Sequence, residues 1–159
     1  GDLAAVNDKM RQAGCAIETQ GARLFLRAPE ELQPVRISTQ PFPGFPTDMQ
    51  AQMMAMACLA QGTSVIVENV FENRFAQASQ LRRMGADILI NDRTAVIHGG
   101  KLTGASVMSR DLRGGAALVI AALAAEGVSE VGNVEFIDRG YEALENTLNA
   151  LGARIQRLS

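Results

Sequence analysis

The sequence predicts an α/β domain built from repeated βαβαββ units, an inside-out, barrel-like arrangement with helices within and strands without. Three observations carry that expectation. Three segments read alike: MRQAGCAI from Met10, LRRMGADI from Leu81 and LNALGARI from Leu148, with glycines Gly14, Gly85 and Gly152 standing 71 and then 67 residues apart. Each glycine closes an amphipathic helical pattern, where a residue of positive φ is needed and glycine supplies it cheaply. Finally, some helical segments are apolar nearly all round and others on one side only, which separates inner helices from outer ones.

The elements follow in order. Residues 1–28 hold the end of one unit: a helix closed by Gly14, then alternating strands Ala16–Thr19 and Arg23–Leu26. Residues 33–99 hold a complete unit. Strand Val35–Thr39 leads to helix Asp48–Ala60, strand Val65–Glu68, helix Arg74–Met84 and strands Asp87–Ile90 and Ala95–His98. Helix Asp48–Ala60 carries Met49, Met53, Met54 and Met56, a spacing that suits core filling, since methionine adapts to irregular gaps. Helix Arg74–Met84 is apolar at 75, 78 and 81 only, so it is expected on the outside. Residues 103–159 hold a third unit lacking its last strand, with inner helix Leu112–Ala125, outer helix Tyr141–Leu151 and strand Arg154–Leu158. The 159 residues are thus expected to form a single incomplete domain, a piece of a longer chain near 420 residues if six units of about 70 are present.

Composition narrows the function. Apolar residues make up 47% and charged residues 20%, which provides for a packed core. With net charge −2, one tyrosine and no tryptophan, there is neither a phosphate-neutralising stripe nor a stacking platform, and no nucleic-acid partner is expected. The longest wholly apolar run, Ala116–Ala125, falls short of the roughly 20 residues that span a bilayer, so no membrane association is expected and a soluble, cytoplasmic chain is. His98 stands alone at a strand end. Cys15 and Cys58 lie in apolar contexts without metal-ligand spacing, and read as inert core thiols. No Walker loop, G-x-G-x-x-G or G-x-S-x-G occurs, and no cofactor is expected.

The remaining candidates are charged. Thr47-Asp48-Met49-Gln50 reads as a capping box, with Asp48 well placed on the helix dipole. The stiff segment Gln40–Pro46 before it, with three prolines, fixes where Asp48 points. Arg74, Arg113 and Arg139 each fall in the first turn of an expected helix. A lone cation there is mildly unfavourable, whereas guanidinium groups beside helix N-termini make a phosphate or carboxylate site. Gly114-Gly115 would let an anion approach the backbone.

The strings FPTDMQAQ from Phe45, VFENRF from Val70, RRMGA from Arg82, DLR from Asp111 and IDRGYE from Ile137 are more specific. Together they closely resemble the UDP-N-acetylglucosamine 1-carboxyvinyltransferase family of enolpyruvyl transferases, in order along essentially the whole chain. The resemblance implies the enolpyruvyl transferase fold, two domains of three units each, of which this chain covers most of one. It also implies transfer of enolpyruvyl from phosphoenolpyruvate to the 3-hydroxyl of UDP-N-acetylglucosamine, the first committed step of peptidoglycan synthesis. Asp48 then matches the general base beside that hydroxyl, and Val70 a nucleotide-sugar position. Arg139 matches the clamp on phosphoenolpyruvate, while Arg74 and Arg113 match basic residues near the same anion. The family's proton donor, a cysteine or aspartate, lies on a loop of the other domain, so this chain alone is expected not to turn over. It is also open to self-association through uncovered core or strand edges. The alternative from another class is a non-catalytic repeat domain, or a half-protein that needs a partner chain.

Overall fold

The computed structural model describes residues 3–159; the first two residues of the 1–28 unit lie outside the described residues. The chain opens with α1 (Ala4–Gln12), the hairpin β1 (Ala16–Gln20) and β2 (Arg23–Arg27), and the short strand β3 (Arg36–Ser38). A 3₁₀ turn at Thr47–Met49 enters α2 (Gln50–Ala57), followed by β4 (Thr63–Val67), α3 (Ala76–Arg83), β5 (Asp87–Asn91) and β6 (Thr94–His98). The remainder is β7 (Ser106–Met108), α4 (Leu112–Ala124), β8 (Glu130–Gly132), α5 (Glu135–Asp138) and α6 (Leu144–Ala150).

The sequence similarity around the three glycines reappears as one geometry. Gly14, Gly85 and Gly152 have φ of 98°, 93° and 98°. In each case the glycine N–H and the next N–H reach back to the helix, as in Gly85 to Arg82 at 2.9 Å and Ala86 to Leu81 at 3.1 Å. The Gly14 and Gly152 ends repeat this pair of bonds, which satisfies carbonyls that a helix end otherwise leaves orphaned.

β3 to β6 form one sheet in the order β3-β4-β6-β5, in which β3 and β4 are parallel and the other pairs antiparallel. Parallel neighbours need a crossover, and α2 provides it; α4 does the same between parallel β7 and β8. Period-two alternation turns Ile37, Ile66, Ala95, Ile97 and Ile88 to the inner face, all buried, while Leu89 points outward and is exposed. Against that face lies α2, whose Ala51, Met53, Met54, Ala55 and Ala57 are all buried, as its all-round apolar sequence requires. α3 presents Ala78 and Leu81 to the same core.

The other inner helix departs from its expectation in part. α4 buries Ala117, Leu118 and Ala121, but Ile120 and Leu123 are 39% and 43% exposed. Two other expectations need correction. Residues 154–158 form no strand: the backbone of Ile155 is engaged by the Asn149 amide at 2.8 and 2.9 Å, and no strand of the described residues pairs with this segment. The expected helix Tyr141–Leu151 begins only at Leu144, after Ala143 in the left-handed region, and buries no residue; its Leu151 is exposed.

Candidate active site

The site grows from the entry into α2. The turn over residues 40–46 is closed by Gly44 N–H to Pro41 O (2.8 Å) and Gln40 N–H to Phe45 O (3.0 Å), and pinned by the buried Phe45 ring. It delivers Thr47 and Asp48 to the end of the sheet. Asp48 projects outward, 62% exposed at its side chain, and takes a 2.6 Å ion pair from Arg113 Nε. Arg113 stands in the first turn of α4, whose start is capped by Asp111 accepting from Gly114 N–H at 2.7 Å. Arg74 lies across a cleft of about 40 Å³ that it lines together with Thr47, Gln50, Asn73, Asp111 and Arg113. Its guanidinium rests on the Phe71 ring, 4.2 Å from the centroid, a cation–π contact that holds its direction.

The structure thus brings Asp48, Arg74 and Arg113 together around one surface. Arg139 does not line that cleft. It follows the short helix α5 at its C-terminal end, not the first turn of a helix as the sequence suggested, and packs over Phe136 at 4.7 Å. Arg74 likewise precedes α3 by two residues, because the helix starts only after Phe75. Val70 contributes its backbone N–H inward, to a carboxylate described next. The glycines of α4 serve packing: a Cβ at Gly115 would meet Ile137 and Ser109, so the close approach is made by those side chains.

The capping box is absent. Neither Thr47 nor Gln50 caps a helix N–H, because both turn toward Glu68. Glu68 is 1% exposed and accepts from Thr39 Oγ1 (2.9 Å), Thr47 Oγ1 (3.1 Å), Gln50 Nε2 (3.3 Å), Val70 N–H (3.1 Å) and Phe71 N–H (3.2 Å). Burial pushes its pKa up. The Thr39 hydroxyl, the Phe71 amide, Gln50 and the Val70 amide together outweigh that and hold the carboxyl below its usual value. Sequence reasoning took Glu68 only as a strand end. The available signal was its phase: Ser64, Ile66 and Glu68 alternate on the inner face of β4, so the carboxylate had to be buried.

The residues set aside behave as ordinary structure. His98 Nδ1 lies 2.9 Å from Thr63 Oγ1 on the neighbouring strand. Burial pushes Cys58 up to about 12 and raises Cys15, so neither is a thiolate near neutrality. A groove of about 480 Å³ between α1 and β3 includes none of Asp48, Arg74, Arg113 and Arg139.

Crossover helices packed inside a sheet, with Asp48 paired to Arg113 beside the cleft that Arg74 lines, accompany a clear family assignment: the chain belongs to the EPSP synthase (3-phosphoshikimate 1-carboxyvinyltransferase) family, whose model matches residues 1–148. Among curated relatives it is 54% identical over 154 residues to the UDP-N-acetylglucosamine 1-carboxyvinyltransferase of Myxococcus xanthus, covering 96% of this chain and 37% of that protein. It is likewise 54% identical over 150 residues to the enzyme of that name from Desulfofundulus thermocisternus, with 94% and 62% covered. The solved enolpyruvyl transferase NikO from Streptomyces tendae superposes with a TM-score of 0.87 at 28% identity, covering 97% of this chain and 36% of that one. The chain therefore spans a little over a third of the length of the Myxococcus relative.

Proposed function

We propose that this chain is the Asp48-bearing part of an enzyme that transfers enolpyruvyl from phosphoenolpyruvate to the 3-hydroxyl of UDP-N-acetylglucosamine, releasing phosphate. The observation that carries the reading is the exposed Asp48 carboxylate held between Arg113 and the Arg74 cleft. A carboxylate with free lone pairs can take the hydroxyl proton as the sugar oxygen attacks the substituted carbon of phosphoenolpyruvate. Guanidinium forks suit the enolpyruvyl donor, phosphoenolpyruvate, which bears both a phosphate and a carboxylate, and they steady the phosphate as its C–O bond breaks. Arg139, on its own loop, reaches this anion only if the loop or the substrate brings them together, which suits a clamp. The acid that protonates the methylene carbon is not assigned to any residue of this chain. In this reading the domain is divided as a remnant at 1–28, a full unit at 33–99 and a partial unit at 103–159. The enzyme would act in the cytoplasm at the entry to peptidoglycan synthesis, and so serve cell-wall growth, shape and division.

The test is phosphate release by the full-length protein supplied with phosphoenolpyruvate. Release is expected only when UDP-N-acetylglucosamine is present, in one-to-one ratio with enolpyruvyl sugar nucleotide. Release with another acceptor alone, or no release, contradicts the assignment.

A further inference from the structure

We infer that Glu68 is a positioning residue: its buried carboxylate ties together the segments that carry Asp48, Val70 and Arg74 and so sets the geometry of the site. The inference rests on the enolpyruvyl-transfer reading above and deepens it.

The carboxylate lies at the first residue past the end of β4, continuing the inward phase of Ser64 and Ile66. Around it converge its own following loop and two pieces of chain distant in sequence. Thr39 comes from the end of β3, Thr47 and Gln50 from the entry to α2, and Val70 and Phe71 from the loop after β4. The last two of these segments lead directly to site residues. Thr47 is the neighbour of Asp48. Val70 is itself a candidate contact, and Phe71 is the ring on which Arg74 lies. Gln50 passes the link on, donating also to the Arg74 carbonyl at 3.0 Å, while its own amide oxygen accepts from Gln77 of α3 at 2.9 Å. Thr39 closes the ring by accepting from Asn69 N–H at 2.8 Å.

No cation pairs with Glu68 among the described residues, so neutral donors alone stabilise it. Five donors share the roughly four lone-pair sites of one carboxylate, so none of those sites is left over. That arrangement is costly to disturb, since a buried donor left unmatched loses its water without replacement. A purely structural anchor at this depth needs only an apolar side chain. A carboxylate that gathers donors from its own loop and from two distant segments, with Thr47 and Gln50 among the residues lining the cleft, fixes their relative positions instead.

The experiment uses the full-length enzyme and reads kcat and KM for both substrates, together with the melting temperature, at a temperature where each variant is folded. Glu68→Gln keeps the shape but turns an NH₂ group toward donors. It is expected to lower kcat about 10–100-fold, the scale of a displacement near 1 Å of catalytic groups, with the folded fraction unchanged. Thr39→Val removes one donor and is expected to lower kcat in the same direction, and Thr39→Ser to restore most of that loss. This threonine pair decides the matter should Glu68→Gln not fold. Folded Glu68→Gln with wild-type kcat and KM, or a Thr39→Val loss that appears only in melting temperature, overturns the role. A wild-type protein that releases no phosphate with both substrates overturns the reaction itself, and the role with it.

Discussion

Asp48 and Glu68 are carboxylates of opposite solvation, and their difference follows from where the chain sets them. Asp48 sits on a 3₁₀ turn facing water, with one guanidinium partner, so it keeps lone pairs for a substrate proton. An ion pair this exposed contributes only about 0–1 kcal/mol to the fold, which leaves Arg113 free to turn to a bound anion. Glu68 has no such freedom, and its depressed pKa makes stability depend on pH. The unfolded group titrates near 4.5 and the folded group lower. Its contribution is therefore fully present above pH 4.5 and is lost as pH falls through the folded value. Urea midpoints of wild type and Glu68→Gln, followed downward from pH 7, are expected to converge below pH 4.5. Parallel curves across that range would show that folding does not lower the Glu68 pKa.

At the scale of the elements, the repeated helix ends and the sheet were legible because their signals are local. Gly14, Gly85 and Gly152 mark positive φ in the sequence and adopt it in the structure. The alternation in β4 and β6 places every inner residue. The entry to α2 was misread because Thr47 and Gln50 fit a capping box locally, while Glu68, eighteen or more residues on, competes for the same side chains. Arg139 was misplaced for a related reason: residues 135–138 form a single helical turn, too short to leave a period. Residues 154–158 alternate like a strand, but alternation without a paired neighbour makes no ladder. Between β6 and β7, the adjacent glycines Gly99 and Gly100 separate packing from flexibility. A Cβ at Gly99 would strike the backbone carbonyl of Ala60, whereas one at Gly100 meets nothing within 4 Å. Gly99→Ala is expected to cost about 1–3 kcal/mol by overpacking, and Gly100→Ala to stay within about 0.5 kcal/mol. Equal urea midpoints for the two variants would contradict the close packing of this turn.

For the molecule as a whole, the distribution of apolar surface agrees with its partial span of its relatives. Leu24, Phe25 and Leu26 on the hairpin and Ile120 and Leu123 on α4 are exposed, although their sequence pattern is that of covered surface. The cleft that Arg74 and Arg113 line measures about 40 Å³, close to the volume of one water and far below the several hundred Å³ of a small-molecule pocket. The proposed reaction therefore needs walls that these residues do not supply, and its tests use the full-length protein. In the proposed reading, these residues contribute the base, Asp48. The most direct measurement is the rate of phosphate release by the full-length protein carrying Asp48→Ala, at saturating phosphoenolpyruvate and UDP-N-acetylglucosamine. Turnover is expected to fall by about 10²–10⁴, the range for loss of a general base, with sugar-nucleotide affinity mostly retained. Turnover near the wild-type rate would contradict the account by removing Asp48 from the chemistry.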